Sequence, residues 1–296
     1  MNIKDYLLHT RPQSYPLTFF AAFTGYALSP EKPQDIFLIL RDAAFLFMLF
    51  SVALWGGTNA FNSAQDGDEG PLTLLPNPPK VPKHLSAFGL SLMVTAILLA
   101  TIVSMRLTAF VAFGVALSIF YSWKNPWTRR GKDVPMVDML MNAFGFGFCS
   151  ILCGYLLTPA SIEVGVLVVG VGFTFAYLGG MPTSQMFQLK ENGNERNYTA
   201  VVGAKNVLRL GALFFAVHLL FVGFGFADGV TLKQHPWLLV CWTGWLLLVA
   251  VSAIHSYWWS ASPYTNAYNR MNRQMVMMMS SQILWTVYAW GVSRIV

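Results

Sequence analysis

Residues 160–182 read ASIEVGVLVVGVGFTFAYLGGMP, with Glu163 as the one charged side chain and an unbroken apolar run behind it. About 20 mostly apolar residues in a helix cross the hydrocarbon of a bilayer, and this stretch is such a helix. Working outward, the same pattern recurs at 14–29, 43–61, 84–104, 107–123, 135–157, 201–226, 236–258 and 274–293. The sequence therefore predicts an all-α polytopic membrane protein, a single domain over 1–296 with nine spans. The runs are too long for barrel strands and lack the period-two alternation of an outer-membrane barrel. Composition agrees: 11% of residues are charged and 55% hydrophobic, against about 25% charged in a soluble domain.

The first segment, MNIKDYLLHTRPQSYP, is polar and lacks the apolar region of a cleavable signal peptide, so the first span is expected to stay in the mature chain. Nine spans place every basic residue except Lys32, Arg41, Arg106, Lys233 and Arg294 on the N-terminal side. The positive-inside rule makes that side cytoplasmic, and a bacterial inner membrane is the expected location. The net charge of +6 follows from juxtamembrane cations near anionic lipid and calls for no nucleic acid. Cys149, Cys153 and Cys241 lie in apolar spans and read as packing residues. So do the methionines at 275 and 277–279. Tyr257, Trp258, Trp259, Tyr264 and Tyr268 read as an interfacial belt.

Three polar segments fall on the predicted cytoplasmic face. The second span ends in Asn62-Ser63-Ala-Gln-Asp66-Gly-Asp68-Glu69-Gly70-Pro71. Asn62 and Asp66 stand at i, i+4 and share a helix face. Together with Asp68 and Glu69 they form an oxygen-only donor set suited to Mg²⁺, which takes one or two carboxylates plus substrate phosphates. The sixth span ends in a second polar segment that holds Gln185, Gln188, Lys190, Glu191, Asn192, Glu195 and Arg196. Glu191 and Glu195 form one i, i+4 pair there, and Gln188 and Asn192 another. Between the two lies the loop after Tyr121, with Lys124, Arg129, Arg130 and Lys132. Four cations beside two acidic helix ends read as a diphosphate clamp, Arg by forked hydrogen bonds and Lys as a point charge.

Together these segments resemble the UbiA superfamily of intramembrane prenyltransferases, whose two acidic motifs end the second and sixth of nine helices. The first motif of that family reads roughly NDxxDxxxD. One branch has NSYYDRDEGP with a PPP-containing loop, which Asn62–Pro71 and Asn77-Pro78-Pro79 match closely. Tyr121, Ser122, Pro126, Arg129, Lys132, Pro135 and Asp138 match the same branch's middle region. In the second motif Gln185, Gln188, Glu191 and Thr199 fit, but Lys190, Asn192, Arg196 and Asn197 depart from the pattern, three of them replacing carboxylates.

The resemblance implies a polyprenyl diphosphate as substrate, Mg²⁺ as cofactor, and an aromatic or other lipid-soluble acceptor. Asp66 would be catalytic, and Tyr121 would be a wall for the allylic cation. Three readings of other classes stand beside it. The chain would instead be a non-enzymatic subunit of a larger membrane complex that binds a quinone, pigment or lipid. It would be a channel or transporter, against which intramembrane charge is scarce. Or it would be a haem protein through His218 and His255.

Overall fold

The computed structural model describes residues 2–68, 70–124, 127, 129–186, 198–224 and 235–295. The regular structure of these residues is helical, with no strand among them beyond an isolated bridge between Leu72 and Leu75. A short amphipathic helix, α1 (Ile3–His9), is capped by Asn2, whose side chain accepts from the Lys4 N–H. It is followed by α2 (Tyr15–Leu28) and α3 (Ile36–Asp66). Asp35 caps α3 by accepting from the Phe37 and Leu38 N–H groups at 2.8 and 3.1 Å. Next come α4 (Leu85–Thr101), α5 (Met105–Ser122) and α6 (Pro135–Tyr155), then α7 (Val164–Gln185) and α8 (Tyr198–Val202). The last three are α9 (Ala204–Gly223), α10 (Pro236–Trp259) and α11 (Ala267–Ile295). Proline opens α6 and α10 at the first turn, where its missing N–H costs nothing. Gly67, at φ +69°, closes α3 in the left-handed conformation that suits a helix C-terminus.

Among the described residues, helices stand at each place where a span was expected. Six of them, α3, α5, α6, α7, α9 and α10, are long and apolar enough to cross a membrane. By that measure α2 and α4 are short, at 14 and 17 residues, and α11 carries Arg270 and Arg273 in its first turns. The helices overrun the apolar stretches in both directions. α3 begins at Ile36 and runs on to Asp66, well past the expected end at 61. The expected 201–226 span is broken at Gly203, which has φ +85°.

Two apolar clusters make the core. One gathers α2–α5 and the end of α6, at Leu152 and Cys153, around Leu46, Phe50, Met93 and Val111. The other gathers α6, α7 and α9–α11 around Phe173, Phe215, Trp245 and Trp285. Large apolar side chains such as Phe113, Leu247 and Val251 remain exposed on the outer surface, as lipid-facing helices require. Glycines set the closest crossings. A Cβ on Gly25 would lie 1.7 Å from the Ile151 carbonyl oxygen, and one on Gly154 would lie 1.7 Å from that of Ala22. Here α2 and α6 pack backbone to backbone, a close approach that small residues permit in membranes. Gly57 and Gly89 do the same for α3 and α4, at 2.8 and 2.7 Å.

Candidate active site

A cavity of about 220 Å³ lies where the two core clusters meet. Phe50 and Leu54 line it from one cluster, and Met139 and Phe146 from the other. Two of its walls are segments where the helix widens to π geometry, Phe47–Gly56 in α3 and Gly145–Cys149 in α6. Such widening is rare and is often found at functional sites.

At one end the cavity is polar. Asp66, in the last turn of α3, gives one carboxylate oxygen to Arg130 Nη1 at 2.7 Å and the other to Lys132 Nζ. Arg130 also grips Asp133, at 2.8 and 2.9 Å. Its guanidinium holds the Asp133 carboxyl below the usual carboxylate range, and that hydrogen bond pushes Arg130 further up. Asn62, one turn before Asp66, accepts from Ser122 Oγ at 3.1 Å. Asp68 faces Arg11, whose Nη2 lies 3.4 Å from Asp68 Oδ2 and from Ser63 Oγ. Arg11 adopts the left-handed conformation at φ 57°, which costs a non-glycine residue on the order of 1 kcal/mol and turns the segment before α2 toward the site.

A second polar group sits deeper, around the fully buried Asp138 in the first turn of α6. Tyr121, at the end of α5, donates its hydroxyl to Asp138 Oδ1 at 2.6 Å. Asn142 donates to the same oxygen at 3.1 Å and to the Tyr121 hydroxyl at 2.9 Å. Gln185 donates to Asp138 Oδ2 at 2.6 Å, and Thr199 donates to Gln185 Oε1 at 3.1 Å. Elements far apart in sequence are thus tied at one end of the bundle.

Of the expected site residues, Asn62, Asp66, Asp68, Tyr121, Lys132 and Gln185 line this cavity, and Arg130 reaches it through Asp66. Lys124 and Arg129 are exposed and do not line it. The Lys124 main-chain N–H donates to Gln65 Oε1. Glu69, Gln188, Lys190, Glu191, Asn192, Glu195 and Arg196 lie outside the described residues. The expectation did not include Arg11 or Asn142, and it named Asp138 only as a match to the resembled branch. His218 and His255 are each hydrogen-bonded within the helices, to the Gly172 carbonyl and to the Gln274 side chain.

The donor types present are those Mg²⁺ takes, with the Asp66 carboxylate held here by Arg130 and Lys132 and Asp68 beside Arg11. Asn62, Asp66 and Asp68 offer hard oxygens to one cavity. Among the described residues no cluster of three or more His, Cys, Asp or Glu side chains forms a cage.

A model of the UbiA prenyltransferase family matches residues 18–281. No curated protein matches the chain. The fold is similar to that of the apo structure of a UbiA homologue from Aeropyrum pernix K1, at 14% identity and a TM-score of 0.64. That alignment covers 95% of this chain and 97% of the other. It is also similar to a UbiA homologue from Archaeoglobus fulgidus bound to GPP and Mg²⁺, at 13% identity, a TM-score of 0.62 and coverage of 96% and 99%. A third similar structure concerns digeranylgeranylglyceryl phosphate synthase in membranes, at 12% identity, a TM-score of 0.61 and coverage of 97% and 98%. With the family match spanning nearly all of the helical bundle, the chain belongs to the UbiA prenyltransferase family.

Proposed function

We propose that this protein transfers a prenyl group from a polyprenyl diphosphate to an aromatic or other lipid-soluble acceptor inside the membrane. One observation carries the reading. A single cavity joins the Asp66–Arg130–Lys132 cluster to a wall of Phe50, Trp55, Phe110 and Phe146. A charged head and a hydrocarbon tail on one molecule match those two ends.

Arg130 and Lys132 bind the diphosphate, with Arg11 reaching in from the other side of the first motif. Asn62, Asp66 and Asp68 would hold Mg²⁺, which when bound would offset charge on the diphosphate oxygens. The allylic C–O bond breaks and its electron pair leaves with the diphosphate. The cation that remains faces aromatic rings, whose quadrupoles attract positive charge; an electron pair of the acceptor forms the new bond to it, and the acceptor releases a proton. Tyr121 is the proposed wall for the cation, and its bonds to Asp138 and Asn142 fix its orientation. Lys190 and Arg196 complete the basic set, with Glu191 and Glu195 as the acids of the second motif and Gln188 and Asn192 as its amides.

The nine helical stretches are all spans in this reading, and the motif face is cytoplasmic. Cysteines placed at Gly70, which is exposed where Ser63 is buried, and at Thr128 and Asn194 in a background without native cysteine are expected to label from that one side. Labelling from both sides overturns the orientation. For the activity, purified protein is incubated with prenyl diphosphates of several lengths, with and without Mg²⁺, and released diphosphate is measured. Mg²⁺-dependent release is the expected result. A protein that binds no prenyl diphosphate under any Mg²⁺ condition is instead the non-enzymatic membrane subunit.

A further inference from the structure

At the end of the bundle away from the cavity, Lys32 sits in the link between α2 and α3. α2 starts beside Arg11, and α3 takes 31 residues to run from Ile36 to Asp66, about 45 Å at 1.5 Å per residue. Lys32 is only 5% exposed, and among the described residues it forms no ion pair. A buried charge is expensive unless something offsets it. Two helix ends do so in part. Lys32 Nζ donates to the Ser29 carbonyl at 3.0 Å and to the Ser293 carbonyl at 3.5 Å, where the C-terminal ends of α2 and α11 present the negative ends of their dipoles. An ammonium has three protons, so one is left for another acceptor.

A second cation stands beside the first. Arg294 lays its guanidinium 4.5 Å from the centre of the Trp290 ring, and Lys32 Nζ lies 5.8 Å from the same centre. Burial, and then repulsion from Arg294, bring Lys32 down to about 8. Among the described residues Gln34 holds Arg294, through Nη1, and the edge formed by Nε and Nη2 stays open. The acids at this end are engaged elsewhere, Asp42 with Arg41 and the Tyr26 hydroxyl, and Asp35 with the first turn of α3. Glu31 is exposed and pairs with neither cation. Past Gln34 the surface turns apolar at once, with Ile36, Phe37 and Leu40 exposed.

We infer that Lys32 and Arg294 form a binding site for the phosphate of an anionic phospholipid, at the opposite end of the bundle from Asp66. The open edge of the guanidinium matches two phosphate oxygens in a fork. Trp290, itself stacked on Phe23, holds that fork in one plane. The remaining Lys32 proton supplies a third bond, and a phosphate placed there offsets two cations that repel each other. The acyl chains of the lipid cover Ile36, Phe37 and Leu40, which a free phosphate leaves bare. The site stands independently of the prenyl-transfer reading.

The test titrates the full-length protein in a neutral detergent with dioleoyl phosphatidylglycerol or dioleoyl phosphatidylcholine and reads bound lipid by native mass spectrometry. Wild type is expected to bind phosphatidylglycerol at least about tenfold more tightly than phosphatidylcholine, the size of one charge-assisted hydrogen bond. Lys32→Gln, Arg294→Gln and the double variant are expected to lose that preference. Arg294→Gln leaves the Lys32 bonds to the two helix ends in place, so the test survives if Lys32→Gln fails to fold. Arg41→Gln removes an exposed positive charge from the same end of the bundle and is expected to keep the preference within about twofold. An equal loss in Arg41→Gln means diffuse surface charge and overturns the inference. So does a wild type without the preference, or an Arg294→Gln variant that keeps it. Inorganic phosphate that displaces phosphatidylglycerol at equal concentration makes this a site for the free ion and overturns the lipid assignment; displacement only at a large excess is the expected result.

Discussion

Asp66, at the end of α3, gives its two carboxylate oxygens to two cations, Arg130 and Lys132. Asp138, at the start of α6, gives its two oxygens to a phenol and two amides, from Tyr121, Asn142 and Gln185. Both acids face one cavity, and the difference divides the site into a part that exchanges and a part that holds. An arginine and a lysine bound to one carboxylate can be drawn to a more highly charged diphosphate, with Asp66 turning to a metal. Neutral donors around a buried carboxylate have no such alternative, and they lock α5, α6 and the end of α7 together. Asp66 is therefore expected to govern turnover, and Asp138 to govern shape.

The largest expected effect is that of Asp66→Ala, which lowers diphosphate release by about 10³-fold, the scale of a lost electrostatic contact to the reacting group. It does so more completely than Glu195→Ala, since the first motif keeps its acids and the second does not. Equal losses in steady-state assays break that ranking. Asp138→Ala comes next and acts on stability. Stranding the buried donors of Tyr121, Asn142 and Gln185 is expected to cost about 3 kcal/mol, read as a lower melting temperature in detergent. Asp66→Ala is expected to melt close to wild type, and a reversed order of melting would erase the distinction. Lys132→Gln is expected to raise KM for the prenyl diphosphate about tenfold while leaving kcat nearly unchanged, the size of one charge-assisted hydrogen bond. A fall in kcat alone would move Lys132 out of binding. The smallest effect belongs to the eroded motif. Lys190→Glu combined with Asn192→Asp restores carboxylates and is expected to lower the Mg²⁺ concentration for half-maximal turnover about threefold, because Mg²⁺ affinity rises with carboxylate ligands. An unchanged or higher requirement counts against any metal role for that segment.

Much of this site was legible because its parts follow local rules. Asn62 and Asp66 share a face by helical spacing, and Arg130 and Lys132 crowd one short loop. Tyr121 closes an apolar helix at its polar end. Arg11 was not legible, because it meets Ser63 and Asp68 more than fifty residues away through a left-handed turn that nothing in its neighbours requires. Asp138 matched a pattern, but the Asn142 and Gln185 amides that hold it come together only in the folded bundle. The same limit explains the helix ends. Apolarity marks where lipid begins, and it ended the second span near Phe61, whereas α3 continues to Asp66 because its last turns line a cavity. The widened segments at 47–56 and 145–149 have no sequence signal of their own.

The paired glycine crossings have a mechanical consequence. Where Gly25 meets Gly154 and Gly57 meets Gly89, main chain rests on main chain, with no side chains to slide or repack. Those seams rivet α2 to α6 and α3 to α4. α5 meets α6 without such a seam, through side chains: Tyr121 bonded to Asp138 and Asn142 at one end, and Val111 and Val115 clustered with Leu152 and Leu156 further on. The bundle thus combines stiff main-chain seams with softer side-chain contacts, and when it yields to a bulky guest, the strain gathers at contacts of the second kind, such as that between α5 and α6.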